Sequence, residues 1–214
     1  MSVFRCYSEK KPGFDVEARG LCGQLREQLG IGALEGVRIL NRYDADRIAP
    51  EVYEAAKTVV FSEPQVDDVY DETFPVPETP HSVLAVEALP GQYDQRADSC
   101  AQCIQLQSGV DRPLIAAAKV YLLMGTISQE DLEKIRKYLI NPVESRQALM
   151  DKPETLERTH AAPDHVDTVE GFIAMDEKAL EDLLSRLGLA MDLDDLKFLQ
   201  TYFRDQEKRD PTIT

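Results

Sequence analysis

Two cysteines three positions apart, Cys100 and Cys103, have the spacing of a redox pair or of half a zinc site. A redox pair lies at the start of a helix, where the helix dipole lowers the thiol pKa, and these two fall well inside a predicted helix. A zinc site would need a second Cys or His pair at a suitable spacing, which the sequence lacks. We therefore expect two reduced thiols on a buried helix face, and we read Cys6 and Cys22 as small buried side chains too.

The three histidines offer a second candidate site. His160 and His165, with Asp164 and Asp167 nearby, have side chains that could ligate a metal ion. Metal ligands need a fixed geometry, whereas this polar stretch predicts an exposed loop. His81, at the start of a predicted strand, has no evident partner in the sequence. We predict no metal site.

The remaining polar clusters have structural interpretations. The acidic runs at 67–72 and 192–195 predict solvated faces or helix caps, with magnesium binding as the lesser alternative. Gly30 and Gly32 predict a helix end rather than a dinucleotide fingerprint. The sequence contains no Gly-rich phosphate loop, nucleophile elbow or Ser/His/Asp arrangement. We therefore predict no catalytic and no cofactor-binding residue in this chain.

The charge balance narrows the function classes. The 214 residues contain 24 Lys and Arg against 39 Asp and Glu, a formal net charge of −15. Nucleic-acid binding needs clustered cations, so we do not expect it. No apolar run approaches the ~20 residues that span a bilayer, and no signal peptide begins the chain. We expect a cytoplasmic protein with no membrane partner.

The sequence repeats itself when it is shifted by 78 positions. Pro12 then coincides with Pro90, Cys22 with Cys100, and Tyr43 with Tyr121. These matches fall at corresponding points of two predicted series of strands and helices. Tyr43 and Tyr121 are predicted to pack at an interface between the copies, with a ligand groove as the alternative.

Hydrophobic periodicity predicts the elements of each copy. Strands are predicted at 3–7, 36–43, 66–70, 83–89 and 114–124. The predicted inward residues of the helices are Ala18, Leu21, Cys22, Leu25, Leu29, Val52, Ala56, Val59, Val60, Ala97, Cys100, Ala101, Ile104, Leu132, Ile135 and Leu139. Asp15 and Ser128 are predicted to cap helices, and Pro50 to open one.

This alternation predicts an α+β fold of two ferredoxin-like repeats related by a pseudo-two-fold axis. We expect the two sheets to pack face to face, each covering the open face of the other. A ferredoxin-like unit requires a further strand between its helices, and residues 43–47 look too polar and short for more than a vestigial one. The predicted parts are residues 1–72 and 82–150 for the repeats, 73–81 for a Pro-rich strap, 151–168 for an irregular segment, and 169–214 for a helical linker.

The last stretch predicts a helix followed by a stop. Its predicted buried face contains Leu193, Leu196, Leu199, Tyr202 and Phe203. Asp210-Pro211 ends the helix, and residues 212–214 have the character of a beginning strand. We expect the chain to be a fragment that leads into a further domain.

The same stretch carries a family resemblance. The runs YFRD at 202–205 and EKRDPTIT at 207–214 resemble the end of the linker domain in large phosphoribosylformylglycinamidine synthases, and EKKPGFDVEA at 9–18 is similar to the opening of that family. The family begins with a domain like a pair of small separate subunits, followed by an ATP-binding synthetase domain.

The resemblance implies a purine-biosynthesis ligase. Such an enzyme uses ATP and Mg²⁺ to activate the formamide oxygen of formylglycinamide ribonucleotide, which ammonia from glutamine then replaces. This chain would be the inactive scaffold and linker part, with the synthetase and glutaminase parts as partners. The alternative is a tandem regulatory module that binds a small effector between its two repeats.

Overall fold

The computed structural model describes residues 3–157 and 165–213. The chain forms two compact units, one within residues 3–157 and the other within residues 165–213.

The first unit is built on one six-stranded antiparallel sheet. The strands are β1 Phe4–Lys10, β2 Gly36–Asp46, β3 Asp67–Asp71, β4 His81–Ala88, β5 Leu114–Met124 and β6 Ser145–Gln147. Their order across the sheet is β3-β1-β2-β5-β4-β6. Strand β5 has the predicted limits, whereas the three-residue β6 was not predicted.

The strand registers follow the sequence repeat. Phe4 pairs with Ala45 in the first half, and the residues 78 positions later, Ser82 and Leu123, pair in the second. The two halves meet along β2 and β5, where Asn41 lies opposite Lys119, its own counterpart under this shift. The copies therefore lie side by side in one sheet, and the predicted face-to-face packing of two sheets is wrong.

Each half has the order β-α-β-α-β and contributes three strands. No separate strand forms from residues 43–47, because residues 43–46 continue β2 to its end. Their polar side chains are buried there together with the apolar ones. The observed fold class is α+β.

Four helices of the first unit pack on one face of the sheet. They are α1 Val16–Glu27, α2 Pro50–Val59, α3 Gln95–Ser108 and α4 Gln129–Leu139. Helices α2 and α3 share one apolar cluster with the sheet, and α1 and α4 share another. The predicted core face of α3 is confirmed, since Ala97, Cys100, Ala101 and Ile104 are all buried.

Two predictions for helices α1 and α2 need correction. Val59 was predicted to be inward, but it is 64% exposed, and Tyr53 takes the buried position on α2. Asp15 stands at the start of α1, but its carboxylate accepts a hydrogen bond from the Gly13 amide and does not cap the helix. On α4, by contrast, Ser128 caps the helix as predicted, accepting a hydrogen bond from the Asp131 amide.

The opposite face of the sheet is covered by loop segments of the chain itself. Phe74 of the Pro-rich strap packs edge-on against Tyr7, with ring centroids 4.8 Å apart. Ala148, just after β6, is buried in the same apolar cluster, and its amide bonds the carbonyl of Ala85. These segments take the place that a second sheet was expected to fill.

The second unit is a helical hairpin with the helices α5 Glu177–Leu187 and α6 Leu193–Tyr202. Asp192 and Asp195 form a capping box at the start of α6. The predicted burial of Leu196 on α6 is confirmed, whereas that of Tyr202 is wrong, because Tyr202 is 44% exposed. The chain then makes a π-helical turn over Phe203–Glu207.

The predicted final strand is only a single bridge. Thr212 pairs with Thr168, and the Ile213 amide donates to the Asp167 carbonyl, so the extended residues turn back on their own unit. Asp210, which precedes them, accepts from the amides of Gly171 and Ile173. Thr214 lies outside the described residues.

Candidate functional site

A groove of about 720 Å³ opens on the helix-bearing face of the first half. It lies between the start of α1 and the end of α2, above strands β1 and β2. Its main lining residues are Ser8, Lys10, Phe14, Asp15, Glu17, Ala18, Asn41, Tyr43, Val59, Val60, Phe61, Glu63, Asp67 and Arg96. All but Arg96 belong to the first half, and Arg96, from helix α3, is the contribution of the second half to this groove.

The floor of the groove is polar. Tyr43 and Ser8 are buried residues on neighbouring strands, at 2% and 3% exposure, and Asn41 beside them is half-buried. Arg96, an exposed residue at the start of α3, reaches this floor from above, and its guanidinium donates to the Tyr43 hydroxyl over 3.0 Å. Burial raises the pKa of Tyr43, while Arg96 acts to lower it, so this hydroxyl stays protonated at neutral pH.

Three cations line the groove; Lys10 and Arg38 form salt bridges with Asp67 and Glu9, whereas Arg96 forms none with a described residue and is influenced by the Glu17 carboxylate only at longer range. Within residues 3–157 and 165–213, no carboxylate lies at ion-pair distance from its guanidinium, whereas Lys10 pairs with Asp67 at 2.9 Å. A guanidinium carries five N–H donors, and only one of those of Arg96 reaches a described partner. The others are available to an anion in the groove.

The rim of the groove is apolar and open to solvent. Phe14 is 56% exposed beside the start of α1, and Val59 is 64% exposed at the end of α2. Val60 and Phe61 continue this wall toward the floor, where the Phe61 ring stacks on Tyr43 with centroids 4.7 Å apart. A bound molecule would meet polar groups below and apolar groups above.

The sequence repeat does not place the polar groups of this groove at the equivalent positions of the other copy. The position equivalent to Arg96 is Ala18, and the position equivalent to Ser8 is Val86. Tyr121, the counterpart of Tyr43, lies in the other apolar cluster, and burial raises its pKa to about 12. The two tyrosines lie on opposite sides of the Asn41–Lys119 pair, so they do not face each other, and Tyr43 lines a groove.

A second buried polar cluster lies on the opposite face of the sheet. Arg5 binds Asp44 through two hydrogen bonds, of 2.5 Å from Nε and 2.8 Å from Nη2. Arg42 approaches the same carboxylate with its Nε at 3.4 Å, and that Nε has no hydrogen-bond partner among the described residues. Burial lowers the pKa of Arg42, whereas for Arg5 burial is outweighed by Asp44 and the pKa is raised.

This cluster holds a loop against the sheet. Arg5 donates to the Met150 carbonyl at 2.5 Å, and Arg42 donates to the Leu149 carbonyl at 2.6 Å. The two carbonyls belong to the segment that follows β6. Because both arginine side chains are buried and donate to carbonyl groups of this loop, we interpret the cluster as structural.

The sequence-predicted thiol pair is divided between two environments. Cys100 is buried, and burial raises its pKa to about 11. Cys103 is exposed, so the prediction that both thiols lie on the core face is wrong for this residue. Their three-residue spacing along α3 leaves Cys103 toward the edge of the buried stripe, which is narrower than the sequence pattern suggested. Cys6 is buried as predicted, and Cys22 is half-buried.

The histidines and acidic runs show local contacts. His81 Nδ1 lies 2.9 Å from the Thr79 carbonyl oxygen, and His165 Nε2 lies 3.0 Å from an Asp167 oxygen. His160 and Asp164 lie outside the described residues. Elsewhere in residues 3–157 and 165–213, no three His, Cys, Asp or Glu side chains converge as a metal site would require.

Sequence reasoning missed Arg96, whose role depends on a contact 53 positions along the chain. The repeat comparison held a usable signal, because a cation occupies position 96 in one copy where the other copy has alanine at position 18.

Among the helices that the structure describes, none has the length and apolar character needed to cross a membrane. In comparisons with known proteins, neither a protein-family model nor a curated protein sequence matched this chain.

Proposed function

We propose that this chain is the scaffold and linker part of a phosphoribosylformylglycinamidine synthase, a cytoplasmic ligase of purine biosynthesis. The whole enzyme would use ATP and Mg²⁺ to convert the formamide oxygen of formylglycinamide ribonucleotide into a phosphate-activated leaving group. Ammonia released from glutamine would then replace it and form the amidine. The synthetase and glutaminase parts would be the partners of this chain.

The observation that carries this proposal is the 78-residue shift shared by the sequence and the strand registers. Phe4 pairs with Ala45 as Ser82 pairs with Leu123, so two equivalent three-stranded halves make one sheet. That arrangement suits a fused pair of small subunits, which is what the resemblance at residues 9–18 and 202–214 implies for the start of such an enzyme. We further propose that each half is a reduced ferredoxin-like unit.

In this role the doubled sheet would hold the catalytic parts in register, and helix α6 would pack against one of them. Phe198 is 73% exposed on α6, and Tyr202, one turn later, is 44% exposed. Neighbouring aromatic side chains at this spacing form an apolar ridge on a helix, and aromatic residues are enriched in protein interfaces. This ridge is the part of the linker that we expect a synthetase domain to cover.

Complementation tests the proposal. The chain is mixed with the synthetase and glutaminase parts of such an enzyme, made without their own amino-terminal region, and amidine formation from ATP and glutamine is measured. We expect turnover only when the chain is added. Phe198→Asp should abolish the effect, while Thr201→Asp, on the same helix, should retain most of it. Turnover by the chain alone, or no effect of adding it, would contradict the scaffold role.

The groove favours a second candidate function, that of a tandem regulatory module. Each repeat contributes to the groove, the first through strand residues such as Tyr43 and the second through Arg96 of helix α3, as expected for an effector bound between repeats. Binding of a metabolite to the folded chain would raise its thermal unfolding temperature. A screen of amino acids and nucleotides by thermal shift separates this function from a purely structural one.

A further inference from the structure

We propose that the groove between α1 and α2 binds a small monocarboxylate with an apolar body, and that Arg96 holds the carboxylate. This inference deepens the regulatory function suggested above, and it is independent of the ligase proposal. It rests on three properties of the groove: one available cation, a surrounding ring of acids and an apolar rim.

The anionic end of the ligand would lie on the polar floor. Arg96 presents a planar fork of donors whose geometry matches a carboxylate, and its contact with the Tyr43 hydroxyl fixes one side of that fork. Asn41 lines the same floor, and its side chain has no hydrogen-bond partner within residues 3–157 and 165–213. Its amide can donate to the second carboxylate oxygen.

The charges around the groove limit the ligand to one negative charge. Acids outnumber cations in the lining, even though several of the acids are ion-paired, among them Glu17 with Lys119 at 2.6 Å. The lining acids are Glu9, Asp15, Glu17, Glu63, Asp67 and Asp68, and the lining cations are Lys10, Arg38 and Arg96. A diphosphate or triphosphate would meet this acidic ring, and like charges in one site are unfavourable. A carboxylate that also carries an ammonium group, as an amino acid does, would instead be attracted by these acids.

The apolar body would cover the rim. Phe14, beside the start of α1, and Val59, at the end of α2, both line the groove and are both more than half exposed. A ring or branched chain between them would remove apolar surface from water, the main favourable contribution to binding for such groups. The cavity of about 720 Å³ falls within the roughly 300–1,000 Å³ usual for small-molecule sites.

The test is a titration of the full chain with defined probes, followed by NMR or calorimetry. The carboxylate probes are phenylalanine and 3-phenylpropionate, and the controls are phenylalaninamide, which lacks the carboxylate, and ADP. We expect saturable binding of a carboxylate probe, with phenylalaninamide and ADP at least about tenfold weaker. Tighter binding of phenylalanine identifies an amino acid as the ligand, and tighter binding of 3-phenylpropionate identifies a simple acid.

Two variants locate the site. Arg96→Gln should weaken the carboxylate probe by about tenfold or more, because a charged hydrogen-bonding partner is lost, while Arg26→Gln, an exposed cation on α1, should leave binding unchanged. Phe14→Ser changes an exposed side chain that the fold does not require. It should weaken 3-phenylpropionate but not acetate, and it keeps the test valid if Arg96→Gln does not fold.

Three results would overturn the proposal. These are the absence of saturable binding by either carboxylate at tens of millimolar, equal binding of phenylalaninamide, and unchanged affinity in both Arg96→Gln and Phe14→Ser. None of them bears on complementation of the ligase, which is measured without these probes. The two proposals can therefore fail separately.

Discussion

Replacing Asp44 by leucine should strongly destabilise the first unit. Asp44 is 2% exposed and lies between Arg5 and Arg42, which are 2% and 4% exposed. Its removal would leave two buried guanidinium groups without their shared carboxylate. Breaking a buried ion pair in this way costs about 3–5 kcal/mol, a large part of the ~5–15 kcal/mol that stabilises a typical domain.

The second half of the sheet indicates which further substitutions would restore part of the stability lost in Asp44→Leu. The repeat places Val83, Val120 and Leu122 where the first half has Arg5, Arg42 and Asp44, and Val83 pairs with Leu122 as Arg5 pairs with Asp44. The triple variant Arg5→Val, Arg42→Val, Asp44→Leu would therefore copy an apolar solution that the same fold already uses. Replacing a buried charged group by apolar residues as a set is often neutral.

The triple variant should not regain full stability. It removes the two donors to the carbonyls of Met150 and Leu149, which are exposed residues, and a typical hydrogen bond contributes about 0.5–1.5 kcal/mol. We expect it to be less stable than the original chain but more stable than Asp44→Leu alone, by at least about 1 kcal/mol, the scale of coupling between residues in one network.

The free energy of unfolding is measured by urea titration with circular dichroism, since the chain contains no tryptophan. Glu72→Gln is the matched control, because it removes a carboxylate from the exposed pair with Lys152 and should cost less than about 1 kcal/mol. A loss below about 1 kcal/mol for Asp44→Leu, or a triple variant no more stable than the single one, would refute this reasoning.

Four further predictions follow from individual residues. Cys103 should react with a thiol reagent in the folded chain while Cys100 reacts only on unfolding, as mass spectrometry would show; equal rates would contradict the burial. Burial raises the pKa of Cys100 from 9.0 to about 11, so the stability that the protonated thiol contributes is complete below pH 9 and is lost as the pH rises toward 11. In urea titrations at increasing pH, the free energy of unfolding of Cys100→Ala should therefore fall less steeply than that of the original chain. Asp46 accepts hydrogen bonds from residues 155 and 156, and these bonds lower its pKa. The contacts should therefore be lost as the pH falls below about 4. At neutral pH, Asp46→Asn should speed the exchange of the backbone amide hydrogens of residues 155–157. Gly125→Ala should destabilise the chain in urea titrations, because Gly125 has a φ of +118° and an added Cβ would meet backbone; an unchanged midpoint would contradict this.

The sequence alone determined the repeat and most of the elements. Strand β5 and the buried face of α3 were predictable because a continuous apolar run and a helical stripe both report burial directly. The cap at Ser128 was predictable for the same local reason, since the donor it accepts from is three residues away. Strand β6 was not predicted, because its three polar residues show no hydrophobic periodicity and only the sequence repeat indicates where they pair.

The tertiary structure alone decided how the two halves combine. A buried strand face indicates that something covers it but does not identify the cover, so pairing of β2 with β5 in one sheet and face-to-face packing of two sheets were equally consistent with the apolar pattern. The same holds for polar contacts between distant residues. The Arg5–Asp44 cluster and the meeting of Arg96 with Tyr43 depend on strand register and helix placement, which no local rule in the sequence specifies.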